Sequence, residues 1–258
     1  MKKTFIIFLA VFLSGNIFSQ TNKKDIDVIR TQFKFINSQK NLKKIYLENE
    51  EFTDDIPSEG CGLEGYYLNG ELLKAVEQDA VSTGLYTSEY YLKDGKLIFV
   101  YRYEKEFLRN PETGEFTDSK KTYEERVYYK NGKIIRHLEK GKSLLKNTPD
   151  YQKLFSDYRK YLDTKVKYKK QYDLLQGLWI NTDNNDDSFE ISGTKTLLFD
   201  APELSNPFRF WIEEGGRYIF FHYTNTNEDV KFEILELTDK SFQVQNRLTG
   251  EVLTYEKN

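Results

Sequence analysis

Tyr90-Tyr91-Leu92-Lys93-Asp94-Gly95-Lys96-Leu97 sets out a pattern that recurs as Tyr66-Tyr67-Leu68-Asn69-Gly70-Glu71-Leu72 and as Tyr128-Tyr129-Lys130-Asn131-Gly132-Lys133-Ile134. Asn-Gly and Asp-Gly are the dipeptides of two-residue type I′ turns, whose central residues both need positive φ. The flanking stretches are rich in Tyr, Val and Ile, as strands are. The chain therefore predicts an antiparallel β-meander over roughly residues 63–138. Turns alternate ends in a meander, so the three tight turns belong at one end and the Asn110-Pro111-Glu112-Thr113-Gly114 loop at the other.

Pairing outward from Asp94-Gly95 sets Lys93 against Lys96, Leu92 against Leu97, Tyr90 against Phe99 and Ser88 against Tyr101. On a straight ladder Tyr86, Tyr90, Leu92, Phe99 and Tyr101 then share an inner face, with Tyr91 on the other. The third hairpin treated alike puts Tyr123, Val127, Tyr129, Ile134 and Leu138 inward. Glu124, Arg126, Tyr128 and His137 fall outward. A one-residue slip would reverse both faces.

Working outward from the meander, residues 22–38 place Ile26, Ile29, Phe33 and Ile36 at helical spacing, with charged residues between them. Such a stripe needs a sheet to cover. Residues 42–59 read as an acidic loop. Residues 149–172 form a second amphipathic stretch, with Tyr151, Leu154, Phe155, Tyr158, Tyr161, Leu162 and Val166 on one stripe. This stretch carries 7 basic and 3 acidic side chains, whereas residues 173–258 carry 7 basic and 16 acidic. The acidic segment is thus a natural intramolecular partner for the basic helix, and domain–domain docking through that helix is expected.

The last 86 residues change texture, to short strands beginning near Leu178, Phe189, Thr196, Phe208, Tyr218, Val230, Phe242 and Val252. Regular short strands suggest a small barrel or sandwich. Gly177-Leu178-Trp179 at the first of them resembles the Gly-x-Trp opening of lipocalins, and the layout is similar to the small lipocalin-like domains of exported bacterial proteins. The resemblance covers about a third of the chain. It implies a tryptophan closing the barrel base against a late arginine, and Arg247 is the late arginine of this chain.

The expected fold is therefore an α+β N-terminal domain at 21–148, one helix packed on the meander. A basic connector helix at 149–172 and a small all-β, lipocalin-like barrel at 173–258 follow. Residues 1–20 read as a signal peptide, with Lys2 and Lys3 before an apolar Phe5–Leu13 run. That run is too short to span a membrane, and no later segment supplies the ~20 apolar residues of a span. An exported, periplasmic or extracellular location follows. A formal net charge of −3 argues against nucleic acid as a partner. Cys61 is the one cysteine, so no intrachain disulfide forms, and burial is its expected fate.

Chemistry-bearing motifs are sparse. There is no nucleophile elbow, phosphate loop, dinucleotide fingerprint or His-Glu-x-x-His. Two histidines, His137 and His222, preclude a histidine-rich metal site. Asp183-Asn184-Asn185-Asp186-Asp187 begins like a calcium loop but has Ser188 at position six and Thr194 at position twelve, so it reads as a polar turn. No metal, cofactor or catalytic residue is expected.

Two features remain as an interaction surface. Lys93, Lys96, Lys130 and Lys133 gather at one end of the meander. Trp211 shares the outer face of its strand with Arg209 and Glu213, while Phe208, Phe210 and Ile212 point inward. The reading is a non-enzymatic envelope or secreted binding protein. Its partner would be another protein, a glycan or a small apolar ligand. The alternatives are an apolar-ligand carrier using the barrel interior and a hydrolase with an unrecognised carboxylate site.

Overall fold

A computed structural model describes residues 23–48, 51–53, 57–144, 149–184, 188–192, 195–198, 208–223 and 228–258. The signal-peptide segment and residues 185–187 of the calcium-like loop lie outside these residues. The described chain is mostly β, with three helices and one sheet curled into a half-barrel. It divides into two compact units. One comprises the described residues within 23–44, 65–76 and 83–152, and the other those within 45–64, 77–82 and 153–258.

The meander is present as a seven-stranded antiparallel sheet ordered β1 to β7. Its strands are β1 Lys43–Glu48, β2 Cys61–Leu68, β3 Glu71–Val81, β4 Gly84–Lys93, β5 Lys96–Arg109, β6 Phe116–Lys130 and β7 Lys133–Gly141. β1 occupies part of the stretch expected to be loop. Its alternation of buried Ile45 and Leu47 with exposed Lys44 and Tyr46 is a half-buried strand pattern that the surrounding acidic residues obscure. At all three repeats both turn residues have positive φ: Asn69 51° and Gly70 85°, Asp94 51° and Gly95 69°, Asn131 50° and Gly132 72°. These are the type I′ turns that the sequence demands.

The ladder beyond the turns is not straight. Lys93 pairs with Lys96 and Leu92 with Leu97, but the next pair is Tyr91 with Phe99, followed by Tyr90 with Val100 and Ser88 with Arg102. Ile98 is the extra residue of a β-bulge. The third hairpin repeats the device. Lys130 pairs with Lys133 and Tyr129 with Ile134, then Tyr128 pairs with Arg136 and Val127 with His137, leaving Ile135 as the extra residue. The two bulges occupy the same place relative to the turn glycine. A bulge shifts one strand by a residue and so exchanges the faces of all that follows.

The expectation that only Tyr90 and Tyr129 of these pairs face a core is therefore corrected: Tyr90, Tyr91, Tyr128 and Tyr129 are all buried. Tyr91, Phe99 and Tyr128 join Ile26, Ile29 and Ile36 of α1 (residues 23–38) in one core. Tyr90 lies on the opposite face, where its ring meets that of Tyr151 at 6.3 Å. α1 is tied down by Gln32 Nε2 donating to the Leu92 carbonyl at 3.2 Å and by Lys130 on Asp25 at 2.8 Å.

The connector is two helices, α2 Tyr151–Lys167 and α3 Lys169–Leu175, broken at Tyr168. Within the second unit, α2 buries Phe155, Tyr158 and Leu162. The Phe52 and Tyr158 rings meet edge to face at 5.8 Å, and Tyr158 Oη donates to Glu77. Lys165 pairs with the buried Glu51, and Lys160 reaches Glu213 at 3.6 Å.

The eight C-terminal strands start within two residues of the expected positions: β8 Gly177–Asn181, β9 Phe189–Ser192, β10 Lys195–Leu198, β11 Phe208–Glu213, β12 Tyr218–Tyr223, β13 Glu228–Leu237, β14 Ser241–Asn246 and β15 Val252–Lys257. They pair antiparallel in the order β10-β9-β8-β15-β14-β13-β12-β11. One apolar cluster packs Trp179, Phe189, Phe210, Ile212, Phe221, Phe232, Phe242 and Tyr255 together with Tyr172 and Leu175 of α3. Trp179 is fully buried and its Nε1 donates to the Leu175 carbonyl at 2.7 Å. The cation over its ring is Lys257, 4.9 Å from the ring centre, rather than Arg247, which binds Glu233 at 3.1 Å.

Candidate functional site

The bulged ladder gives the α1 face of the meander an aromatic floor that α1 covers only in part. Between α1 and strands β5 and β6 lies an open groove of about 670 Å³. Ile29, Phe33, Phe99, Tyr101 and Tyr128 line it, with Arg30, Lys34 and Arg126 also in its wall. Phe33 meets Phe99 edge to face at 5.7 Å, and Phe99 tilts against Tyr128 at 4.8 Å. The three charged residues of the wall are all cationic.

Neighbouring carboxylates position two of these cations from outside the lining. Asp27 holds Arg30 at 3.3 Å, and Glu124 holds Arg126 at 3.2 Å. Arg126 also lies 5.6 Å from the Tyr101 ring centre, within cation–π range. Tyr101 Oη donates to Glu124 at 2.9 Å, and Lys121 Nζ lies 2.9 Å from both. Hydrogen bonds from Lys121 and Tyr101 keep the Glu124 carboxyl below its ordinary range, and partial burial raises the Tyr101 phenol. Among the described residues no carboxylate pairs with Lys34. Exposed cations in one groove with aromatic rings suit a ligand with a negative head and a flat or apolar body.

A second constellation occupies the opposite face of the same sheet. Arg102 on β5 stands across from Glu125 on β6, and Glu125 across from Glu139 on β7. Arg102, Glu104 and Glu125 are all buried, at 2%, 1% and 0% exposure. Arg102 pairs with Glu104, while Ser143 Oγ and the Leu144 amide donate to the same carboxylate at 2.6 and 2.9 Å. Tyr151 Oη donates to Glu125 Oε2, and Arg102 lies 3.6 Å from that oxygen. His137 Nε2 is 2.8 Å from Glu125 Oε1 and 3.2 Å from Glu139 Oε1. Burial raises the Tyr151 phenol, and the Glu125 carboxylate pushes it the same way.

The residues singled out from sequence fall elsewhere. Lys93 opposes Lys96 and Lys130 opposes Lys133 as expected, but Lys130 is engaged by Asp25. Trp211 is half-buried and stacks on Phe220, with centroids 5.2 Å apart and planes 4° from parallel. Its Nε1 donates to Glu213 at 3.0 Å. The inward residues Phe210 and Ile212 are buried as expected, while the side chains of Phe208 and Arg209 lie outside the described set. Cys61 is buried, as expected. Asn181 Oδ1 accepts from the Asp183 and Asn184 amides at 2.9 and 3.2 Å, a side-chain-capped turn.

His137, expected on the outward charged face, is drawn onto buried Glu125 because the Ile135 bulge exchanges the faces of β7. Arg102, Glu104 and Glu139 escape a straight-ladder reading for the same reason, since each follows a bulge on its strand. Their sequence signal is a titratable side chain at every second position, in Arg102 and Glu104 on β5 and again in His137 and Glu139 on β7. Glu125 and Glu139 both approach the His137 ring.

Among the described residues no helix is long and apolar enough to cross a membrane. The chain matches no protein-family model, no curated protein and no solved structure.

Proposed function

We propose that the chain is an exported, non-enzymatic binding protein whose ligand is a small organic anion with a flat or apolar body, held in the α1–β5–β6 groove. The observation that carries this reading is that Arg30, Lys34 and Arg126 line the same groove as Phe33, Phe99, Tyr101 and Tyr128. A volume of about 670 Å³ falls within the size range of small-molecule sites. Export rests on the basic and apolar pattern of the first twenty residues. A carrier using the inside of the eight-stranded sheet draws less support, because aromatic rings pack there at centroid spacings of 5.0 to 6.4 Å.

The test is calorimetric titration of the full chain with three probes: an aryl carboxylate, a medium-chain fatty acid and an oligo-uronate. At least one should bind, with affinity falling as salt rises. Arg30→Gln, Lys34→Gln and Arg126→Gln combined should abolish that binding while leaving the circular dichroism spectrum unchanged. Equal binding by the triple variant would overturn the reading, as would no binding of any probe.

A further inference from the structure

Glu125, His137 and Glu139 bring three potential ligand atoms within 4.8 Å of one another. We infer that they form a binding site for one divalent transition-metal cation of the zinc type, stapling β7 to β6. Glu125 and Glu139 are directly opposed across the two strands, and His137 lies two residues before Glu139 on the same face. Two carboxylates so opposed repel unless a cation lies between them.

The two distances from the His137 ring are close to what such an ion requires. Ligand bonds of about 2.0–2.1 Å at tetrahedral or octahedral angles put ligand atoms roughly 2.9–3.4 Å apart. His137 Nε2 is 2.8 Å from Glu125 Oε1 and 3.2 Å from Glu139 Oε1. A neutral imidazole has a single N–H to give, so it cannot satisfy both oxygens by donation. Each coordinating carboxylate can instead share a cation with the ring.

The surroundings are arranged to orient these ligands. Tyr151 and Arg102 engage Oε2 of Glu125, which leaves Oε1 directed at His137. Tyr123 hydrogen-bonds Glu139. Outer hydrogen bonds of this kind fix the geometry of metal-binding carboxylates. The two buried carboxylates, Glu104 and Glu125, share one guanidinium, that of Arg102. His137 and Glu139 side chains are 37% and 50% exposed, so an ion has a route in and room for water as a further ligand. A nitrogen donor with two carboxylates favours a zinc-type ion over calcium, which prefers oxygen alone.

The test is titration of Zn²⁺ into the tag-free, chelator-treated full chain, read by calorimetry and by the melting temperature. One ion per chain should bind and raise the melting temperature, with Ca²⁺ failing to compete. His137→Gln and Glu139→Gln, both at partly exposed positions, should each weaken Zn²⁺ by about tenfold or more while the spectrum of the fold is retained. Glu125 is not the residue to replace, because its loss also removes a partner of Arg102. Zn²⁺ binding unchanged in both variants would overturn the proposal, as would a wild-type protein that binds no Zn²⁺ at millimolar free metal.

Discussion

Arg102 and Glu125 face each other across β5 and β6 with 3.6 Å between guanidinium and carboxylate, both almost fully withdrawn from water. A buried ion pair contributes little net stability, but removing one partner strands the other. Arg102→Met should therefore cost about 3–5 kcal/mol in urea unfolding. Replacing Arg102, Glu104 and Glu125 together by apolar residues of similar size should recover most of that loss. A single Arg102→Met variant as stable as wild type would contradict the role given to this row.

Glu51 supplies the pH dependence. Burial raises its carboxyl from the ordinary 4.5 to about 7, against the pull of Lys165. Between these values the folded chain binds more protons than the unfolded one, so stability falls as pH rises from about 4.5 to 7. The fall attributable to this group is up to about 3 kcal/mol. Glu51→Gln should flatten that part of the profile, as measured by denaturant unfolding at a series of pH values.

Gly141 ends β7 at φ +92°, and a Cβ there would collide with the Thr122 carbonyl. The obstructing atoms belong to the β6 backbone, so no flexible side chain can yield. Gly141→Ala should destabilise by about 1–3 kcal/mol or more. A thermal melt distinguishes this from the smaller loss, roughly 1 kcal/mol, expected for Gly114→Ser, where nothing lies within 4 Å and only the positive φ of +74° resists.

The two tryptophans should report separately. Trp179 is fully buried, whereas Trp211 is half-buried on its strand. Acrylamide should quench mainly Trp211, and Trp211→Phe should leave a blue-shifted, quench-resistant emission. Persistent quenching in that variant would contradict the burial of Trp179.

The repeated glycine turns and the short C-terminal strands were legible because each depends on local chemistry: positive φ at Asn69, Asp94 and Asn131, and regular apolar spacing from Leu178 onward. The face assignments were not. Ile98 and Ile135 look like ordinary strand residues, and nothing in their side chains marks them as the extra residue of a bulge. One unseen residue in each hairpin moved Phe99 onto the Tyr91 face beneath α1 and His137 toward Glu125. The groove and the ionic row both depend on that exchange. Long-range packing of α1 and Tyr151, rather than local propensity, decides which faces are covered.

The last strand of the meander has a consequence for assembly. Among the described strands β7 has only β6 beside it, so its outer backbone groups are a template to which another chain could add. Yet Lys133, Arg136, His137, Glu139 and Lys140 place polar and charged groups on both of its faces, and most of the strand is exposed. A newcomer would have to strip water from these groups, so the sheet can end in solvent without recruiting a second chain.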